Sequence, residues 1–240
     1  MSIYKEIEEM HAEMCSWRQH LHQFPETAFD EFNTAKFISE KLTSFGLDVH
    51  QGLGGTGVVA SLSCGKGSKK IALRADMDAL FIQEKNQLSY KSKNDGIMHA
   101  CGHDGHSAML LGAAKYLATH ADFDGTVYFI FQPAEEGRAG ARQMIDDGLF
   151  DLFPADCVFG LHNFPDVPQG HFAIKSGAMM ASFDCFEIVL SGQATHAAMP
   201  QKGNDVIVAA GHIINALQTV VSRNVAPADS AVLSITQVHA

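Results

Sequence analysis

Cysteine is scarce in this sequence and odd in number: Cys15, Cys64, Cys101, Cys157 and Cys185 are scattered over 240 positions. In a reducing compartment that set reads as free thiols or ligands and excludes a disulfide framework. Long apolar runs are missing too. No stretch approaches about 18 uninterrupted apolar residues, so no membrane span is expected. The opening residues, MSIYKEIEEM, lack the charged-then-apolar layout of a signal peptide, and a cytoplasmic location is the expectation. Positive charge is in deficit: 17 Lys and Arg face 27 Asp and Glu, for a net charge of −10. With no basic run to compensate, a nucleic-acid partner is excluded. Internal repeats and low-complexity segments are also absent.

What is present is an ordinary globular balance, 46% apolar and 18% charged, with enough length for one large domain and part of another. Ile3, Ile7, Met10, Met14, Trp17 and Leu21 recur at steps of four and three, the period of an amphipathic helix that Pro25 ends. Ala35, Ile38, Leu42 and Phe45 mark a second helix, stopped by Gly46. Strand-like runs follow at 58–62 and 71–75, then a small-residue helix over 107–117. Residues 127–131 form a continuous apolar run suited to a strand buried on both faces. A short helix over 138–147 and a further buried strand at 158–161 complete the series. This alternation predicts an α/β domain over residues 1–177, with a largely parallel central sheet flanked by helices. After Gly177 the pattern changes. Alternation at 186–190, a long amphipathic helix through Val206, Ala210, Ile213, Leu217 and Val220, and a strand at 231–238 predict a small α+β domain over 178–240. The chain stops after that last strand, so this second domain is expected to be incomplete.

Four polar clusters carry the chemistry. Asp76 and Asp78 follow one predicted strand, Glu135 and Glu136 another, and His162 a third; Cys101 and His103 lie in HACGHDGH just before a helix. Ligands of an open parallel sheet bind beyond the carboxyl ends of its strands, so the sheet would gather all four clusters at one edge. A lone cysteine is usually core, but His99, His103, His106 and two glycines around Cys101 are poor core material. Thiolate, imidazole and carboxylate together suit zinc or a similar divalent ion. Of the two adjacent glutamates, one can ligate while its neighbour faces a substrate water. Asp76 and Asp78, one residue apart on a strand end, would point the same way and hold ligands in place. The chemistry this implies is metal-assisted hydrolysis with a carboxylate base. A Cys nucleophile paired with His is the rival; it leaves Glu135, Glu136, Asp76, Asp78 and His162 without a task.

RADMDAL at 74–80, HACGHDGH at 99–106, PAEEG at 133–137, LHNFP at 161–165 and ATHAAMP at 194–200 together resemble the aminoacylase/carboxypeptidase-type metallopeptidase family. Within it they are similar to the amidohydrolase branch of hippurate hydrolase, N-acyl-amino-acid amidohydrolase and indole-acetyl-amino-acid hydrolase. HQFPETAFDEFNTA at 22–35 is similar to the same branch, and the motifs run in order from about residue 16 to the end. The resemblance implies a metallopeptidase-type catalytic domain plus a lid and dimerisation domain, a homodimer, and an N-acyl amino acid as substrate. It implies two divalent ions, zinc or manganese, with Cys101, His103, Glu136 and His162 as ligands. Glu135 would be the general base and Asp78 a supporting aspartate. Asp76 stands where other branches use a histidine ligand. His196, from the lid, would reach a neighbouring subunit's site and stabilise an oxyanion.

Three departures qualify the match. Phe81 stands where the family usually has proline, and Gln201 where the branch often has histidine. The family's catalytic domain also resumes after the lid and supplies a final histidine ligand, whereas this chain ends at Ala240. A chain of 240 residues on its own is therefore expected to be poorly stable and weakly active or inactive. A dipeptidase or aminopeptidase of the same family, and a non-catalytic truncated remnant, stay open beside the amidohydrolase reading.

Overall fold

The structure is a computed structural model and describes residues 3–240. It divides into two compact units, one ending at His171 and the other running Phe172–Ala240. The first unit is built around β4, Gly125–Gln132, whose eight residues are nearly all buried. A strand turns successive side chains to opposite faces, and β4 is apolar on both. Val127, Phe129 and Phe131 face one core, with Trp17, Ile38, Leu42, Leu111 and Ala114. Tyr128 and Ile130 face a smaller one, with Val59, Ala72, Met144 and Leu149.

The helices sort accordingly. α1 (Ile3–Gln23), α2 (Phe32–Ser44) and α3 (His103–Thr119) supply the first core, whereas α4 (Gly140–Asp146) and α5 (Leu149–Leu152) supply the second. The apolar stripe read for α2 is the face it buries, through Ala35, Ile38 and Leu42, whereas that of α1 is buried only at its C-terminal end, at Trp17 and Leu21, and leaves Ile3 and Ile7 exposed. Gly46, at φ 82°, ends α2 in the left-handed conformation that favours glycine. The remaining strands are β1 (Asp48–Leu53), β2 (Gly57–Cys64), β3 (Lys70–Asp76) and β5 (Cys157–Gly160), in sheet order β1-β2-β4-β3-β5.

The expected α/β class stands, with differences in detail. The sheet is mixed: β3 pairs in parallel with β4 and β5, but β1–β2 and β2–β4 are antiparallel. The short 54–56 connection between β1 and β2 allows only a hairpin, because a parallel return needs a crossover of about a dozen residues or more. The buried strand expected at 158–161 is instead the exposed edge strand β5, bonded to β3 alone, with Val158 and Phe159 about half exposed. The helix expected over 138–147 begins at Gly140 and breaks at Gly148 (φ 93°) before α5. The helix expected over 107–117 starts four residues earlier, which makes His103 its first residue.

In the second unit, α6 (Val206–Asn224) forms as read, capped by the Asp205 carboxylate, which accepts from the amides of Ile207 and Val208 at 3.0 and 3.1 Å. By length and composition alone α6 could cross a membrane, although it carries Asn215, Gln218, Ser222 and Arg223. The strands expected at 186–190 and 231–238 do not form. Alternation specifies two faces but not a partner, and among the described residues no strand supplies their ladder.

Candidate metal centre

β3, β4 and β5 are mutually parallel, so their carboxyl ends share one edge. The register pairs Asp76 with Gln132 and Arg74 with Gly160. His162, two residues past Gly160, therefore comes level with Asp76, and the 133–136 turn follows directly from β4. α3 starts at this same edge. Gly102, just ahead of it, has φ 97°, and a Cβ there would lie 2.2 Å from Asn163 Oδ1. Glycine is thus required twice, by its conformation and by the close approach of the loop after β5.

His103 is the hub and is fully buried. Its Nδ1 lies 2.9 Å from the Asp78 carbonyl oxygen and 3.2 Å from Asp78 Oδ1, so Nδ1–H donates to Asp78. That leaves Nε2 with its lone pair, facing Asp76 Oδ2 at 3.6 Å, Glu135 Oε2 at 3.8 Å and Glu136 Oε1 at 3.9 Å. The other Asp78 oxygen accepts the Glu136 amide at 2.9 Å. One aspartate thereby fixes both the His103 tautomer and the backbone that carries Glu136. Cys101 Sγ is 3.3 Å from His162 Nε2. His106, one helical turn after His103, bridges Asp76 Oδ1 and Asn163 Oδ1, each at 2.6 Å.

The electrostatics show a shortage of positive charge. Burial, then the neighbouring Glu136, Glu135 and Asp76, push the Cys101 thiol up to about 12. Burial raises Glu136 also, with Glu135 and Asp78 adding to it against Cys101 and His103. His103 is raised although burial opposes it, because the Asp78 hydrogen bond and the Asp76 charge prevail. Asp76 is held well below the usual carboxylate range: burial works the other way, but the His106 hydrogen bond and Arg74, 2.7 Å away, win. A divalent cation is the natural complement to such a cluster.

The residues fit one. His103 Nε2 and Glu136 Oε1 are buried with no hydrogen-bond partner, a condition that costs about 1–3 kcal/mol for each polar group left unpaired. Three donor sets lie with all atoms within 4.8 Å of one another: Cys101, His103 and His162; His103, Glu135 and Glu136; and Asp76, His103 and His106. His103 is common to all three. A ligating imidazole whose other N–H binds a carboxylate is the usual arrangement at metals, and sulfur, nitrogen and oxygen donors together suit zinc-like ions.

Of the residues expected at the site, Cys101, His103, Glu135, Glu136, His162, Asp76 and Asp78 are brought together. His196 belongs to the second unit, where its Nδ1 accepts the Ala198 amide at 3.1 Å. Sequence reasoning gave no role to His106, although its spacing of three from His103 puts the two on one helix face. His99 was likewise left without one. It is buried with both ring nitrogens unpartnered, and burial lowers it to about 4.

Fold and site define a metal-binding α/β domain. Residues 72–237 match the model of peptidase family M20/M25/M40, and the chain belongs to that family. It is 51% identical to hippurate hydrolase of Campylobacter jejuni over 98% of this chain and 61% of that protein. With N-acetyl-L-cysteine deacetylase of Bacillus subtilis the identity is 47%, over 92% and 53%. With N-acyl-L-amino acid amidohydrolase of Geobacillus stearothermophilus it is 42%, over 98% and 64%. The chain thus spans 53–64% of the length of these three relatives. Among solved structures, the Bacillus subtilis YXEP protein, a dinuclear metal-binding peptidase of the M20 family, aligns with a TM-score of 0.70 at 36% identity, over 88% of this chain and 57% of that one.

Proposed function

We propose that this site hydrolyses the amide bond of N-acylated amino acids of the hippurate type, releasing a carboxylic acid and a free amino acid. The observation that carries the reading is the unpartnered, buried His103 Nε2, set among a thiol, a second imidazole and two glutamates. Support comes from the relatives, three of which are named for removing acyl groups from amino acids or for hydrolysing hippurate. Cys101, His103, Glu136 and His162 would hold two divalent ions, zinc or manganese, and the sulfur donor favours zinc. The dinuclear character of the YXEP protein supports the number. When bound, such ions make a water acidic enough to attack near neutral pH and polarise the amide carbonyl.

The chain's own groups do the rest. Glu135 is the more exposed of the two glutamates. As general base it takes the proton of the attacking water and delivers it to the leaving amine nitrogen. Asp78 keeps His103 in the Nδ1–H tautomer and anchors the Glu136 amide. Asp76 and His106, with Asn163, brace the loop that carries His162. The second unit serves as lid and homodimer surface, through which His196 donates to the developing oxyanion of a neighbouring subunit's substrate. A cytoplasmic location accompanies the reading.

The test is hydrolysis of N-benzoylglycine and N-acetyl amino acids beside unblocked dipeptides, with and without a chelator. Chelator-sensitive cleavage of the acylated substrates is expected. Cleavage of the dipeptides alone, or cleavage indifferent to chelator, would overturn the reading.

A further inference from the structure

We propose that Glu31 is a positioning residue for the two glutamates: its buried carboxyl fixes the backbone of the 133–136 turn and so the aim of Glu135 and Glu136. The inference rests on the roles given to those glutamates above. Glu31 stands immediately before α2 but its side chain makes no capping bond; the Glu26 carboxylate accepts the Asn33 and Thr34 amides of the first turn at 3.2 and 2.8 Å. Glu31 reaches across 103 positions of sequence instead. Oε1 accepts the Ala134 amide at 2.8 Å, and Oε2 accepts the Thr56 hydroxyl at 2.6 Å. The side chain is fully buried, and among the described residues no ion pair includes it. A carboxyl is costly to place in a core without a counter-charge, so packing alone does not account for it.

What it holds is unusual backbone. Ala134 is buried and has φ 52°, a conformation an alanine keeps only when its surroundings impose it. The Ala134 carbonyl accepts the Gly140 amide at 3.0 Å, and the Glu136 amide is held by Asp78. A Cβ at Gly140 would lie 1.9 Å from the Pro133 carbonyl oxygen, so α4 presses directly on the turn. The Glu31 carboxyl is the acceptor given to the one remaining amide before Glu135. Without it a buried N–H is orphaned at the strained residue, and the turn relaxes by rotating Ala134, which swings both glutamates away from His103.

Amide exchange on the unaltered, metal-free chain tests this first. Protection of the Ala134 amide comparable to that of the β4 amides is expected; exchange at the rate of an open loop would overturn the proposal. Glu31→Met, which keeps volume and removes the acceptor, should speed exchange over 133–137 and weaken zinc binding by about 10-fold or more, the range for partners that orient ligands. Glu31→Gln should restore both, because its amide oxygen can accept from Ala134 while its NH2 donates to Thr56. Leu42→Ala, in the α2 core away from the turn, controls for general destabilisation. The proposal fails if Glu31→Met moves exchange and affinity no more than Leu42→Ala does, or if Gln loses as much as Met. If the unaltered chain binds no zinc, the metal reading fails while the exchange arm still decides the role of Glu31.

Discussion

Replacing Asp78 by asparagine places the tightest demand on the geometry of the site. Asp78 accepts on three sides: its carbonyl and Oδ1 from His103 Nδ1–H, and Oδ2 from the Glu136 amide. Asparagine keeps one side-chain acceptor and introduces an NH2. That NH2 must face either His103 Nδ1–H or the Glu136 N–H, donor against donor, at a buried position in the first case and a part-buried one in the second. One of two proposed ligands therefore loses its anchor, whichever way the amide turns. The backbone carbonyl of residue 78 still receives His103, so the loss belongs at the lower end of what such partners contribute. That is about 10-fold in metal affinity, with 100-fold as the upper bound, or about 1.4–2.7 kcal/mol. The assay is a competitive titration of metal-free chain with zinc against a chromophoric chelator, run beside nitrogen NMR of the His103 ring. Weaker binding, with the fraction of Nδ1–H tautomer reduced or Glu136 amide exchange accelerated, is expected. Unchanged affinity would refute the claim that Asp78 orients these ligands.

Other outcomes follow from the same contacts. Glu135→Gln should leave metal content nearly intact and lower turnover by about 10²–10⁴-fold, as loss of a general base does; loss of metal as well would make Glu135 a ligand. Cys101→Ala should lower metal content, measured by elemental analysis, and a full complement would remove Cys101 from the ligand set. His22 gives stability a pH dependence. The hydrogen bond to Asp104, at 2.7 Å, outweighs burial and, with Glu84, raises His22 above its ordinary 6.5. The stability this contributes is fully present below 6.5 and is lost as pH rises through the raised folded value. Asp104 is lowered, against burial, by the same bond, so its share is present above 3.8 and lost as pH falls through its folded value. Denaturant unfolding should therefore show His22→Gln most destabilised relative to the unaltered chain between those limits, and converging on it in alkali. A difference constant with pH would contradict the ion-pair assignment.

Much of the site was legible because its residues fall at strand ends and helix starts, and those positions follow from local periodicity. The apolar run at 127–131 marked the centre of the sheet, and β3 and β4 carried Asp76 and the 133–136 turn to one edge without any contact being known. Where partners decide, the sequence was silent. β1 is largely polar and exposed along DVHQGL, so nothing in its pattern announced a strand. Its hairpin with β2 is what makes the sheet mixed. The alternation at 186–190 and the strand-like run at 231–238 found no ladder. Glu31, His99 and His106 were overlooked for a related reason. A buried polar side chain is explained by what it touches, and Glu31 touches a residue 103 positions away.

The central claim is that His103 and its neighbours bind a divalent ion. Elemental analysis after dialysis of the folded chain against zinc or manganese, beside His103→Ala, tests it most directly. Retention of at least one ion per chain, abolished in His103→Ala, is the expected result. A chain that unfolds cooperatively yet retains no ion, or one whose metal survives the loss of His103, would contradict it.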